Sequence, residues 1–209
     1  MTMLTCANGE AFDLLRPRHG MIDFDVIAEH LSKANRYCGA TPGVTYSVAE
    51  HSVRCAEAVL RTTGNETLAA YLLCHDFHEA YLGDDTTPKK QALGHVMQSF
   101  GALASAVEQA FSEITDRVDF AIHEAAGLPW PPSPQTVAVI KHWDKVLLAT
   151  EWRDLMQCPP PYDFGKEPLR ERIVPYPGWQ EAKATLLAWM RDLLPNFPKS
   201  KTRLLEVKQ

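Results

Sequence analysis

The sequence predicts an all-α protein, a helical bundle of about six main helices. Three observations point there. Apolar residues recur at three- and four-residue spacings along most of the chain. Helix-start residues precede several of these stretches, and glycine or proline closes them. No block of alternating apolar and polar residues reads as an array of strands.

The 209 residues fit a single domain, residues 1–209, with its core over about 23–155. An irregular N-terminal segment and a C-terminal helix with a polar tail are additions to that core. Apolar residues make up 45% and charged residues 22%, which allows one sizeable core. A net charge of −5 without a basic stripe or tail argues against duplex nucleic acid as a partner. Five scattered cysteines without a C-x-x-C pair read as reduced thiols rather than a disulfide framework. No secretory leader and no apolar run of about 20 residues is apparent, so the expectation is a cytoplasmic protein that does not enter a membrane.

Residues 1–20 are punctuated by Gly9, Pro17 and Gly20, with room for a hairpin around Ala11–Leu15. From Asp23 a helix carries Phe24, Ile27, Leu31 and Ala34 on one stripe, and Gly39, Pro42 and Gly43 close it. "SVAE" at Ser47–Glu50 is a capping box in which Glu50 can reach back to the cap. The helix after it places His51, Cys55 and Val59 on one inward face. Asn65 caps a third helix, Glu66 to about Leu82, with Leu68, Leu72, His75, Glu79 and Leu82 on one stripe and Gly83 at its end. "DDTTPKK" reads as a polar loop. A helical region from about Gln91 to Ala126 is expected to break near Gly101 and Asp116. Ser133 and Pro134 start the next helix, whose stripe holds Val137, Ile140, Asp144, Leu147, Leu148 and Leu155. A last helix spans about Trp179–Leu194.

Three polar residues interrupt these core stripes on three separate helices: His51, His75 and Asp144. Asp76 adjoins His75. A lone inward histidine is ordinarily a hydrogen-bonded core residue. Three such intrusions, each costing roughly 1–3 kcal/mol if unsatisfied, are more economically met by one shared centre. Imidazole and carboxylate ligands suit one divalent ion, whether Co, Mn, Zn, Fe, Ni or Mg.

The order His51, "HD" at His75–Asp76, then Asp144 resembles the H…HD…D pattern of HD-domain metal-dependent phosphohydrolases. "YSVAEHS" at Tyr46–Ser52, "HDFHEAYLGDDTTPKK" at His75–Lys90 and "NRY" at Asn35–Tyr37 resemble the bacterial 5′-deoxynucleotidases and the phage dATP triphosphohydrolases. "GEAFDLL" and "MIDFDVIAEHL" look like the opening of phage and bacterial members of this branch. The similarity runs over roughly Asp23–Arg153.

The resemblance implies a metal held by His51, His75, Asp76 and Asp144. It implies Glu79 as the proton handler and Asp84 facing substrate from the loop. Arg36 matches the arginine that clamps phosphate, and Thr87 and Lys90 fall in the family's T-P-x-K. Tyr37 stands where the deoxynucleotidases commonly carry a tryptophan that excludes a 2′-hydroxyl, which weakens the case for strict deoxy selectivity. His78 and Asp85 match no ligand position; a helix-surface histidine and a turn residue are their simpler readings. The implied activity is hydrolysis of 2′-deoxynucleotides, a 5′-deoxynucleotidase acting on monophosphates. The alternatives are a triphosphohydrolase acting on dATP-like substrates and a non-catalytic nucleotide sensor. The absent G-Y-P motif counts against cyclic dinucleotides. By the same resemblance a homo-oligomer is expected.

Overall fold

The computed structural model describes residues 2–101, 103 and 105–198. Its architecture is all-α, with one small sheet at the N-terminus among the described residues. Strands β1 (Met3–Thr5) and β2 (Ala11–Asp13) pair antiparallel, with Leu4 opposite Phe12. The strands are short, but the hairpin is anchored. Phe12 is buried, and its ring stacks on Tyr81 with centroids 3.8 Å apart.

Helix α1 (Phe24–Lys33) starts where Asp23 accepts from the N–H groups of Asp25 and Val26, which satisfies two otherwise orphaned donors. It ends at Ala34, earlier than the Gly39–Gly43 punctuation suggests. Between α1 and the next helix, residues Arg36–Gly39 make a single tight turn. Tyr37 (φ 57°) and Cys38 (φ 53°) both lie in the left-handed region there. Consecutive non-glycine residues in that region cost roughly 1–3 kcal/mol each and persist only where the surroundings impose them.

Helix α2 (Val48–Thr63) is capped by Ser47, which accepts from the Glu50 N–H, and Gly64 ends it in the left-handed conformation. The reciprocal half of the expected capping box is absent. The Glu50 side chain points into the protein instead, takes two bonds from Arg54 at 3.0 and 2.6 Å, and accepts from the Tyr176 N–H. Burial against the loop before the last helix gives this carboxylate a stronger partner than its own N-terminus. Helix α2 is the central element, packed by α1 and by α3 (Glu66–Cys74), α7 (Pro134–Leu155) and α8 (Trp179–Leu193). Asn65 caps α3 and Ser133 caps α7 through the Leu68 and Thr136 N–H groups.

The predicted single helix over Glu66–Leu82 is broken. After α3 the backbone tightens, with Phe77 N–H bonding Cys74 O, Glu79 N–H bonding Asp76 O and Ala80 N–H bonding Phe77 O, each three residues apart. Only then does the short α4 (Glu79–Leu82) follow, closed by Gly83 at φ 82°. Apolar periodicity cannot distinguish this from an unbroken helix, because the tightened turn keeps the same side inward.

Helix α5 (Thr87–Ser99) begins four residues earlier than predicted, so Thr87–Lys90 form its first turn rather than a loop. Gly101 separates it from α6 (Ser105–Ala126), which passes through Asp116 unbroken, contrary to the expectation of a second break. The predicted C-terminal tail lies largely beyond residue 198, outside the described residues. Among the described residues, no helix is long and apolar enough to cross a membrane.

Candidate metal centre

His51 projects from the buried middle of the bundle on α2 and is fully shielded from solvent. His75 and Asp76 come from the tightened turn after α3, and Asp144 from the middle of α7. Four donor atoms converge. His51 Nε2 lies 3.2 Å from His75 Nε2, 3.6 Å from Asp76 Oδ2 and 3.4 Å from Asp144 Oδ1. His75 Nε2 is 3.2 Å from Asp76 Oδ2. Ligands at about 2.1 Å from a tetrahedral ion stand about 3.4 Å apart, so the spacings among His51, His75 and Asp76, and that of Asp144 to His51, are of the size a shared ion would need.

The ring orientations fit it too. His75 Nδ1 donates to the Leu72 carbonyl at 2.6 Å, which places its proton on Nδ1 and a lone pair on Nε2. His51 Nδ1 lies 2.5 Å from Glu151 Oε1. With Nδ1 of each ring turned to its own oxygen partner, both Nε2 atoms face the same point. Without an ion, burial is outweighed by the acidic surroundings, which raise the His51 pKa well above its ordinary value. An ion bound there would displace the His51 Nε2 proton that otherwise bonds Asp144. A carboxylate or carbonyl behind each ligating histidine is the usual way a metal site fixes its tautomer. Asp144 is less enclosed than its place on a core stripe implied, with 42% of its side chain exposed. It forms the solvent side of the centre.

Electrostatics follow the same logic. Burial opposes ionisation of Asp76, but His75, His51 and Arg36 together hold its carboxyl below the ordinary range. Asp144 is likewise held low, because the bond to His51 and the charges around it outweigh burial. Cys55, one turn after His51 on α2, places its sulfur 3.5 Å from His51 Nε2 and could supply a further donor. Burial raises its pKa, so without an ion it is a thiol.

Glu151, on α7 two turns after Asp144, was not singled out from the sequence. It is fully buried and accepts from three side chains: His51 Nδ1, Arg36 Nε at 3.2 Å and the Tyr37 hydroxyl at 2.6 Å. Burial works against its charge, yet Arg36 and His51 bring its pKa down to about 2. Its sequence signal was the seven-residue interval from Asp144, which puts both carboxylates on one face of the helix.

The other predicted residues fall at different distances from this cluster. Arg36 is not an ordinary surface charge. Its side chain is 13% exposed and spans Glu151 and Asp76, with Nη1 3.4 Å from Asp76 Oδ2. Tyr37 is half-buried between Glu151 and the edge of Trp152. Glu79 sits beside the turn with Oε2 buried and unpartnered among the described residues. Burial, then Asp76 and Asp84, push its pKa up to about 8. Asp84, after Gly83, is raised by burial and feels Arg36 and Asp76. Thr87 is exposed at the start of α5, and Lys90 carries its ammonium over the Phe111 ring at 5.4 Å. Neither touches the four converging donors.

His78 is not a surface residue. Three residues per turn draws it toward the side that carries His75, and its Nδ1 lies 3.1 Å from Asp119 Oδ1 on α6. Despite burial, that carboxylate raises the His78 pKa to about 9. With Asp76 and Glu79 it forms a second group of potential metal donors, all within 4.8 Å of one another.

No family model matches the chain. An uncharacterized protein of Rhodobacter capsulatus is 36% identical over 126 residues, 58% of this chain and 57% of that protein. The uncharacterized protein YfdR of Escherichia coli is 29% identical over 155 residues, 74% of this chain and 73% of YfdR. The chain thus spans little more than half the length of the first of these relatives. Both similarities are to proteins whose names carry no activity. The helical fold and the two groups that could hold a metal ion, His51 with Cys55 and His75, and Asp76 with His78 and Glu79, are compatible with an HD domain.

Proposed function

We propose that the chain is a metal-dependent phosphohydrolase of 2′-deoxynucleotides, acting on deoxynucleoside 5′-monophosphates to release phosphate and the deoxynucleoside. The observation that carries this reading is that His75, Asp76 and Asp144 each place a donor atom within 3.6 Å of His51 Nε2, with a guanidinium and a buried, unpartnered carboxyl at the edge of the cluster. His51, His75, Asp76 and Asp144 would hold one divalent ion, which supplies Lewis acidity toward water and toward a phosphoryl oxygen.

The chain's own residues supply the rest. Arg36 presents a planar fork whose Nε is fixed by Glu151, leaving N–H groups for phosphate oxygens. Glu79, with a pKa near 8, can hold or release a proton around neutral pH, so it can take one from the attacking water or give one to the leaving oxygen. Asp84 adds a further negative charge beside Glu79 and Asp76. Tyr37 forms a wall whose hydroxyl is already committed to Glu151.

A panel of ribo- and deoxynucleoside mono-, di- and triphosphates with Co²⁺, Mn²⁺, Zn²⁺ and Mg²⁺, scored by product, tests the reading. Phosphate release from deoxynucleoside monophosphates is expected, and Asp76→Ala should abolish it. Release of intact triphosphate would move the substrate class to dNTPs. Binding of nucleotides by metal-loaded protein with no turnover would refute the enzymatic reading in favour of a sensor.

A further inference from the structure

Glu151 is fully buried, and its three donors among the described residues lie 100, 114 and 115 residues away in sequence. Its two oxygens serve different partners. Oε1 takes the Nδ1 of His51, whose other nitrogen points at the candidate metal position. Oε2 takes both Arg36 Nε and the Tyr37 hydroxyl. These last two belong to the turn in which Tyr37 and Cys38 adopt left-handed backbone. Two backbone bonds brace that turn, Arg36 N–H to Tyr46 O at 2.9 Å and Ala40 N–H to Tyr37 O at 3.0 Å. Such a conformation relaxes unless side chains hold it. Among the described residues, the side-chain bonds of Arg36 and Tyr37 run to Glu151 and, for Arg36, also to Asp76.

We infer that Glu151 is a positioning residue that sets the metal ligand His51 and the Arg36–Tyr37 arm together, so that one carboxylate fixes both the ion's seat and the arm that meets the phosphate. The inference rests on the reading above for what the arm meets. It does not rest on it for the coupling itself, which two substrate-free measurements can detect. A carboxylate that merely filled a polar hole in the core would leave one of the two partners unaffected.

The test compares Glu151→Gln with Asp144→Asn in the full chain. Co²⁺ affinity is measured by competition with a chromophoric chelator, and amide exchange at Arg36 and Ala40 by NMR in the absence of metal. In Glu151→Gln, Co²⁺ affinity should fall about 10–100-fold, the usual loss when the partner of a ligating histidine is removed. The Arg36 and Ala40 amides should exchange about tenfold faster or more, as expected when a local opening is made easier. Asp144→Asn should lower Co²⁺ affinity and leave those amides unchanged. A Glu151→Gln protein that shifts only one of the two readouts overturns the inference. Should that variant fail to fold, Tyr37→Phe decides. It removes one donor to Glu151 from a half-buried side chain, and faster exchange confined to the turn supports the inference, whereas unchanged exchange overturns it. Absence of nucleotide turnover in the wild type would sink the proposed activity without altering either readout.

Discussion

Replacing Glu79 by glutamine should change how the metal-free protein responds to pH. Glu79 is largely buried, one oxygen has no partner among the described residues, and Asp76 and Asp84 are the nearby charges that oppose its ionisation. Its pKa rises from 4.5 to about 8 on folding. A group raised in this way contributes stability that is intact below its unfolded pKa and is lost as pH rises through its folded pKa. Each pH unit in that window removes up to about 1.4 kcal/mol, so from pH 5 to 7.5 the wild type should lose about 3 kcal/mol through this one group. For a domain of this size that corresponds to roughly 6–12 °C in Tm. Glutamine carries no proton to lose. The assay is urea denaturation of chelator-treated wild type and Glu79→Gln across pH 5–8.5, read by circular dichroism. The gap between the two should open with pH in favour of the variant, while turnover in the metal-loaded variant drops about 10²–10⁴-fold. Parallel stability curves would refute the account of Glu79 as a carboxyl held against its own charge.

Two further perturbations probe the ion and the core. Saturating Co²⁺ or Zn²⁺ at about 100 times Kd should add about 2.7 kcal/mol of stability to the wild type, and Asp144→Ala should remove most of that thermal shift. Arg54→Met strands Glu50, a carboxylate that is 1% exposed, and should cost about 3–5 kcal/mol in chemical denaturation. The double variant Glu50→Leu/Arg54→Met should recover most of the loss; if it is no more stable than Arg54→Met, the buried pair is not the cause.

Much of the fold is legible in local chemistry. Asp23, Ser47, Asn65 and Ser133 cap the helices that begin after them, because a short polar side chain meets orphaned N–H groups without long-range help. The quartet His51, His75, Asp76 and Asp144 is legible for a related reason. Each is a polar residue at or beside an apolar position, and the bundle brings the four together. What escapes the sequence depends on distant partners. Glu151 looks like one more charge on α7 until Arg36 and Tyr37 fold against it. Glu50 has the spacing of a capping box, but Arg54 and the Tyr176 backbone outcompete its own helix start. The break after Cys74 escapes because tightened and ordinary helical turns bury the same apolar residues. His78 is misplaced with it.

The central position of α2 divides the molecule by how freely it can vary. His51 stands on a helix enclosed by four others, and substitutions around it disturb packing on every side. The turn at residues 36–40 and the segment 83–90 lie at the surface and are tied in by a few side chains. Substitutions at the exposed positions of those two stretches, such as Gly39, Ala40, Thr87 and Lys89, should therefore disturb the core less than substitutions around His51.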